Sequence, residues 1–273
     1  MWAGPSGQRW LSSAIRFEKT LKPIGDVLIE RAKLAPGENV LDVGCGAGSM
    51  SLQMSDSVSP NGSVTGLDIS PDLIKEATRR LTAARPKVAV RFVQADAARA
   101  DLPTGAADIM VSRFGTMFFT DPYAAFTHLH HLIRKNGRLV LAVWAPMKEN
   151  PWMLEMRNVM AAHFDLPKLP PHTPGPFAFE EPDYLRDILT KSGFTHIDIA
   201  PWQTHMYVGG PGSDPESATD FLFQAMSIAQ RAVDATPEVQ KLLRQELCDK
   251  LKPFMTPEGV RMPASVFYAT ARA

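Results

Sequence analysis

The chain has 273 residues, enough for one α/β domain with insertions. Its 29 Lys and Arg residues balance 29 Asp and Glu residues, so net charge gives no reason to expect nucleic acid or an anionic membrane as a partner. The two cysteines, Cys45 and Cys248, are too few for a disulfide framework. The first residues lack the apolar core of a signal peptide, and no apolar run is long enough to span a membrane. We therefore expect a cytoplasmic protein.

Up to residue 145, short apolar runs alternate with amphipathic segments. The runs predict strands over residues 38–43, 63–68, 88–94, 107–112 and 138–144. Helices are predicted over 48–57, after the N-cap Ser70, and after the N-cap Asp121. The last of these is expected to end at residues 134–137, where Gly137 would provide the left-handed stop. Continuously apolar strands joined by helices predict a parallel sheet that is covered on both faces.

Beyond residue 145 the strand–helix alternation changes. The pattern predicts helices over 152–163 and 182–192, a strand over 194–200, a loop over 201–215, two helices within 216–252 and a last strand over 266–271. We interpret residues 146–180 and 201–262 as insertions on the substrate side of a single domain, 1–273, where they cover the carboxyl edge of the sheet.

A glycine-rich motif follows the first predicted strand, in the segment VLDVGCGAG at residues 40–48. Ligands of open parallel sheets bind beyond the carboxyl ends of the strands, so this turn predicts a small-molecule site. Its G-x-G-x-G pattern differs from the dinucleotide fingerprint, since Ser49 stands where the third glycine would be. Asp42 would repel a pyrophosphate and suits a cationic ligand such as S-adenosylmethionine (SAM), which carries an ammonium and a sulfonium.

Two further acids follow the next two strands. Asp68 ends the second strand, where an acid accepts hydrogen bonds from ribose hydroxyls. Asp96 follows the third strand, where a carboxylate can accept the exocyclic amine of adenine. Acids at three successive strand ends therefore predict a binding site for one elongated nucleoside that carries no phosphate.

With these motifs the sequence resembles the class I SAM-dependent methyltransferases, and among them a bacterial branch labelled methyltransferase type 11. The likeness includes the glycine motif, Asp68 and Asp96 in their strand-end contexts, and the segments GQRW at 7–10, SRFGTMFF at 112–119, ENPW at 149–152 and VFYATAR at 266–272. It implies a Rossmann-like, seven-stranded, mostly parallel sheet with helices on both faces, a helical cover and an antiparallel strand at 266–271.

The resemblance also implies a cofactor site. Asp42, Gly44 and Gly46 would hold the methionine end of SAM, Asp68 the ribose, and Asp96 with Ala97 the adenine. Ser112 and Arg113 would lie beside the methionine part, and Trp10 would close over the cofactor. The full expected set is Trp10, Asp42, Gly44, Cys45, Gly46, Gly48, Asp68, Ile69, Asp96, Ala97, Ser112 and Arg113.

The leading hypothesis is methyl transfer by SN2 displacement to an O, N or C atom of a small, partly apolar molecule. The sulfonium is already activated, so the protein mainly supplies alignment, and a general base is needed only if the acceptor must lose a proton. No catalytic residue is assigned; the candidates are His172, His205 and Arg113. Arg113 can bind a carboxylate of cofactor or substrate, or pair with an acid. No metal site is predicted, because His128, His130 and His131 have no acid or thiol nearby.

Three alternatives stay open at this point. The chain can bind SAM or S-adenosylhomocysteine (SAH) without transferring a methyl group, or methylate a macromolecule, although neither a basic face nor a recognition domain is evident. It can also be an NAD-dependent oxidoreductase, against which Ser49 and Asp42 count. Helical covers in such folds can serve as homodimer surfaces.

Overall fold

A computed structural model describes residues 11–273 and contains one sheet with eight strands. The strands are β1 Asn39–Val43, β2 Ser63–Asp68, β3 Ala89–Gln94, β4 Ala107–Arg113, β5 Ile133–Trp144, β6 Thr195–Tyr207, β7 Met255–Thr256 and β8 Gly259–Arg272. Their order is β3-β2-β1-β4-β5-β8-β6, and the two-residue β7 pairs with β8 off this path. This confirms the predicted Rossmann-like α/β fold; the short β7 brings the number of strands to eight instead of seven.

The sheet is parallel from β3 to β5 and antiparallel around β8. Pairs β1·β2, β1·β4, β2·β3 and β4·β5 are parallel, whereas β8 runs antiparallel to both β5 and β6. The predicted antiparallel last strand is therefore confirmed. The parallel part brings the carboxyl ends of five strands to one edge, where polar groups from separate loops meet.

Eight α-helices flank the described part of the sheet. They are α1 Ala14–Ala32, α2 Ser49–Ser57, α3 Pro71–Ala84, α4 Pro122–Leu132, α5 Pro151–His163, α6 Pro182–Lys191, α7 Pro215–Ala225 and α8 Pro237–Leu251. The predicted N-caps are confirmed: Ser70 Oγ accepts the Leu73 amide at 3.4 Å and Asp121 Oδ1 accepts the Ala124 amide at 3.0 Å. Within residues 11–273, no helix has the combined length and apolarity needed to cross a lipid bilayer.

The predicted helix end at residues 134–137 is wrong. Helix α4 ends at Leu132 and β5 begins at once, with Ile133 paired to Ala107. The Asn136 amide donates to the carbonyl of Ala273 at 2.8 Å, so this segment gains hydrogen bonds from residues distant in sequence. The left-handed residue is Asn136, with φ 62°, and not Gly137. Gly137 is required for close packing, because a β-carbon there would lie 2.4 Å from Ile133 Cγ2.

The predicted loop at residues 201–215 is also wrong in its first half. Strand β6 continues to Tyr207 because it pairs residue by residue with β8, from Pro201 with Phe267 to Tyr207 with Arg261. Residues 259–262, assigned to the cover, likewise belong to β8. The insertions 146–180 and 201–262 as substrate-side units stay a prediction.

Helix α1, which the sequence patterns left unassigned, packs across β4, β5 and β6. Its buried face includes Phe17, Leu21, Ile24 and Leu28. The Tyr268 hydroxyl, on β8, donates to the Ile24 carbonyl at 2.8 Å. This contact joins the two ends of the described chain and fixes α1 beside the carboxyl edge of β4.

We predict that Tyr268→Phe lowers the free energy of unfolding by about 1 kcal/mol, the usual net contribution of a buried hydrogen bond. The ring stays in place, so its packing and the Arg31 guanidinium 4.7 Å from its centre are retained. Urea unfolding measures the change. Tyr207→Phe is the matched control, since the Tyr207 hydroxyl has no hydrogen bond to another described residue. Equal stabilities of the two variants would contradict this role for the Tyr268 hydroxyl.

Candidate functional site

A cavity of about 310 Å³ lies at the carboxyl edge of the parallel strands. Its polar side is formed by the loops after β1, β2, β3 and β4. Another cavity, of about 330 Å³, lies at the amino ends of the same strands, around Asn39, Ser63 and Ala89. No acid lines that second cavity, so the first is the candidate site.

The glycine turn after β1 forms the floor of the site. Gly44, Gly46 and Gly48 have φ of 73°, 56° and 80°, which glycine adopts without steric cost. A β-carbon at Gly44 would lie 2.6 Å from the Cα of Gly115, so the turns after β1 and β4 touch backbone to backbone. Gly44 and Gly46 line the cavity, whereas Gly48 does not and lies against Phe92 and Ala77.

Asp68 connects two of these turns. Its Oδ2 accepts the Gly46 amide and its Oδ1 accepts the Ser70 amide, each at 2.9 Å. Burial raises the pKa of the carboxyl, against the lowering effect of these amides. Each oxygen keeps a further lone pair for a ligand hydroxyl, so Asp68 can hold both the turn and a ribose.

Asp42 lies beneath the glycine turn and is 2% exposed. The Ser51 hydroxyl donates to its Oδ2 at 2.5 Å. Burial raises the pKa of Asp42 to about 6, although the Ser51 hydrogen bond and the charge of Arg113 oppose the shift. A positive ligand group nearby would relieve this burial cost.

The residues expected to contact adenine, Asp96 and Ala97, also line the cavity. Asp96 Oδ1 accepts the Ala98 amide at 3.0 Å, and Asp96 Oδ2 lies 3.1 Å from Arg99 Nε. Ile69 lines the cavity and is 41% exposed, although it is apolar. Cys45 and Ala97 also line the cavity. Burial raises the pKa of the Cys45 thiol well above its ordinary range, so the thiol stays neutral.

Ser112 and Arg113 end β4 but point to different surroundings. The Ser112 hydroxyl is buried and donates to the Val43 carbonyl at 2.7 Å, which ties β4 to β1. Arg113 is half-buried and lines the cavity. Its guanidinium lies against α1, where a β-carbon at Gly25 would be 2.8 Å from Nη1. Burial lowers the pKa of Arg113, against the attraction of Asp42 and Glu18.

Aromatic and thioether side chains form the opposite wall of the cavity. The rings of Phe114 and Trp144 stack at 4.2 Å, and Trp152 meets Trp144 edge-on at 5.4 Å. Further apolar lining residues are Phe17, Leu21, Met50, Met117, Phe118, Phe119, Met153, Ala225 and Met226. The cavity therefore joins an acidic end to an apolar end.

Two of the three catalytic candidates lie outside this cavity. His172 stacks on Tyr184 at 3.5 Å, and its Nε2 lies 3.5 Å from Glu181 Oε2. His205 is exposed on β6. Arg113 is the candidate that lines the cavity, and Trp10 lies outside the described residues. Across residues 11–273, no three His, Cys, Asp or Glu side chains are placed to hold a metal ion.

Comparison with known proteins agrees with this geometry. The model of the methyltransferase domain family matches residues 40–137, from the glycine motif to the start of β5. Residues 40–137 are therefore similar to a methyltransferase domain. The matched segment contains the strands whose carboxyl ends bring acidic side chains to the cavity.

Two curated relatives of the methyltransferase domain are aklanonic acid methyltransferase DauC of Streptomyces sp. (strain C5) and nocamycin O-methyltransferase of Saccharothrix syringae. The first is 28% identical over 117 residues, covering 43% of this chain and 53% of the relative. The second is 30% identical over 120 residues, covering 44% and 42%. The chain thus spans about half the length of these relatives.

Comparison with solved structures shows a similar fold over most of the chain. Geranyl diphosphate C-methyltransferase from Streptomyces coelicolor A3(2), solved with SAH, has a TM-score of 0.51 and 15% identity, over 92% of this chain and 78% of that one.

The cavity also fits SAM on chemical grounds. Three acids lie along it, whereas phosphate-binding sites present amides or cations. A residue that the sequence analysis missed, Glu18 of α1, adds a fourth acid and forms an ion pair with Arg80. No local motif marks Glu18, because its place in the site depends on how α1 packs.

We predict that Asp42→Asn stabilises the ligand-free protein at pH 7.5 by about 2–3 kcal/mol. The folded pKa of about 6 lies above the ordinary value of 3.8, so the folded protein holds this proton more tightly, and wild-type stability falls as pH rises from about 4 to 6. Denaturant unfolding between pH 4 and 7.5 measures the difference, which should shrink towards pH 4.

Asp56→Asn, an exposed position on α2, is the control for a simple change in net charge. A variant Asp42→Asn that is less stable than wild type at pH 7.5, or a difference that does not vary with pH, would refute the prediction.

Proposed function

We propose that this protein transfers the methyl group of SAM to a small, partly apolar molecule. The observation that carries the proposal is the continuity of one cavity, which runs from Asp42, Asp68 and Asp96 to the wall of Trp144 and Trp152. A cationic nucleoside suits the first end, and an apolar acceptor suits the second.

In this proposal the strand-end loops hold the cofactor. Asp42 and the turn of Gly44 and Gly46 take the methionine end, Asp68 the ribose, and Asp96 with Ala97 the adenine. The remaining predicted contacts are Trp10, Cys45, Gly48, Ile69, Ser112 and Arg113. Support comes from the lone pairs left on Asp68 and Asp96, and from the position of Gly44 and Gly46 in the cavity lining. The buried Ser112 hydroxyl bonds to the Val43 carbonyl, which favours a supporting role for Ser112.

SAM supplies an electrophilic methyl group on a good leaving group. The contribution of the chain is therefore to align the two reactants for in-line SN2 displacement and to exclude water. The apolar wall, with helix α5 and residues 225–227, supplies that dry surface.

The relatives favour a small acceptor over a macromolecule. The names of the two curated relatives refer to aklanonic acid and nocamycin, and the structural neighbour is a methyltransferase of geranyl diphosphate. The balanced charge of this chain points the same way, since a nucleic-acid substrate calls for a basic face. A cytoplasmic location and a homodimer stay predictions.

We expect SAM and SAH, each at a hundredfold its dissociation constant, to stabilise the protein by about 2.7 kcal/mol. For a chain of this size that raises the unfolding midpoint by about 5–10 °C. Asp68→Ala should lose most of the shift, and NAD should give none. Thermal unfolding with each ligand measures this, after mass spectrometry has confirmed that the purified protein carries no cofactor.

Asp56→Ala, exposed and outside the cavity, should keep the full shift. Asp68→Asn separates loss of charge from collapse of the glycine turn, because the amide oxygen can still accept the Gly46 amide. A shift with NAD alone would indicate an oxidoreductase. The absence of a shift with both SAM and SAH would refute the proposal.

A further inference from the structure

Few titratable side chains line the cavity, and none of its acids is free of partners. Within residues 11–273 these side chains are Glu18, Asp42, Cys45, Asp68, Asp96 and Arg113, with no His, Lys or Tyr among them. Glu18 pairs with Arg80, Asp42 accepts the Ser51 hydroxyl, Asp68 accepts two amides, and Asp96 accepts an amide beside Arg99. The Cys45 thiol is held neutral by burial.

The lack of an available general base among the described lining side chains limits which acceptors can be methylated. A neutral alcohol or amine must give up a proton as it is methylated, and a positioned base normally takes it. The histidines considered as bases, His172 and His205, lie outside the cavity. An acceptor that arrives already ionised needs no base.

Arg113 provides the matching charge. It is the one cation that lines the cavity among the described residues, and it forms no hydrogen bond or ion pair within them. A half-buried guanidinium without a partner is costly, because little water replaces the missing hydrogen bonds. Its five N–H groups in a planar fork match the two oxygens of a carboxylate.

The packing around Arg113 shows that α1 is shaped to accept this side chain. Gly25 lies in the interior of α1, where glycine costs about 1 kcal/mol relative to alanine. Any β-carbon there would lie 2.8 Å from Arg113 Nη1, so the helix leaves room for the guanidinium. The guanidinium therefore occupies the space that the missing side chain of Gly25 leaves.

We propose that the methyl acceptor is a carboxylate on an apolar, ring-bearing molecule, and that Arg113 binds this carboxylate. The inference rests on the proposed function. A carboxylate oxygen forms the new bond to the methyl carbon as the carbon–sulfur bond breaks, and the electron pair of that bond stays on sulfur. No proton is taken up or released. The product ester is neutral, so it loses its attraction to Arg113 and can leave.

The acceptor is expected to bear a ring because aromatic side chains line the cavity, namely the stacked Phe114 and Trp144 and the edge-on Trp152. Aromatic walls favour flat, conjugated ligands through stacking and edge-to-face contacts. The same carboxylate chemistry is present in the methionine part of SAM, so the test must separate the two sources.

The test uses the full chain saturated with SAH and three probes of similar shape: 1-naphthoate, neutral 1-naphthamide and cationic 1-naphthylmethylammonium. Titration calorimetry should show 1-naphthoate binding at least tenfold more tightly than the other two. Arg113→Met should abolish this preference, and it should weaken the binding of 1-naphthoate by at least tenfold more than it weakens the binding of SAH. Arg113→Lys should keep part of it, and Arg91→Met, an exposed arginine on β3, should keep all of it.

Each other outcome overturns the proposal. If 1-naphthoate binds no better than 1-naphthamide to the wild type, the cavity does not select a carboxylate. If Arg113→Met weakens SAH as much as 1-naphthoate, the carboxylate bound is that of the cofactor. The unfolding midpoint of each ligand-free variant reports whether it is folded. Failure of SAH to bind the wild type is a separate result, which refutes the methyltransferase activity itself.

Discussion

The hydrogen bonds of one carboxylate organise the polar end of the site. Asp68 accepts the amide of Gly46 from one loop and that of Ser70 from the next, so the turn after β1 and the start of α3 are held together. The left-handed glycines allow this arrangement, and the contact between Gly44 and Gly115 extends it to the turn after β4. These contacts hold three separate loops against one another, and the loops together form the floor of the cavity.

The apolar end is held by different forces. It depends on burial of α1 against β4, β5 and β6 and on the aromatic contacts between β4, β5 and α5. Arg113 lies where the two ends meet, with its guanidinium against the glycine of α1 and its charge near Asp42. Dispersion and burial thus shape the apolar end, whereas directional hydrogen bonds shape the polar end.

The polar end was predictable from sequence because its signals are local. A buried strand that runs into Gly44, Gly46 and Gly48 specifies its own turn, and Asp68 stands at the end of the next strand. The apolar end was not predictable in the same way. Glu18 and Trp144 reach the cavity only through long-range packing, and a histidine in a loop, such as His172, carries no local sign of which way it points.

The errors in the secondary-structure prediction have the same origin. Residues 133–137 resemble a helix end, with two cations before an Asn-Gly pair, yet the Asn136 amide bonds to a residue 137 positions later in the chain. Pro201 and the polar residues after it resemble a loop, yet they pair with β8. In both places hydrogen bonds between segments that are distant in sequence outweigh local preference.

The place of β8 between β5 and β6 has a consequence for the order of folding. The β–α units up to β5 join neighbours in sequence, whereas β8 must enter between β5 and β6 and then meet α1, a contact that spans 244 positions. Closing such long loops costs chain entropy before any contact compensates for it. We therefore expect the half that contains the glycine turn to become ordered first and the half that contains β8 last. We also expect the late-forming half to open most easily in the native state, so that small molecules would enter and leave the cavity at its apolar end.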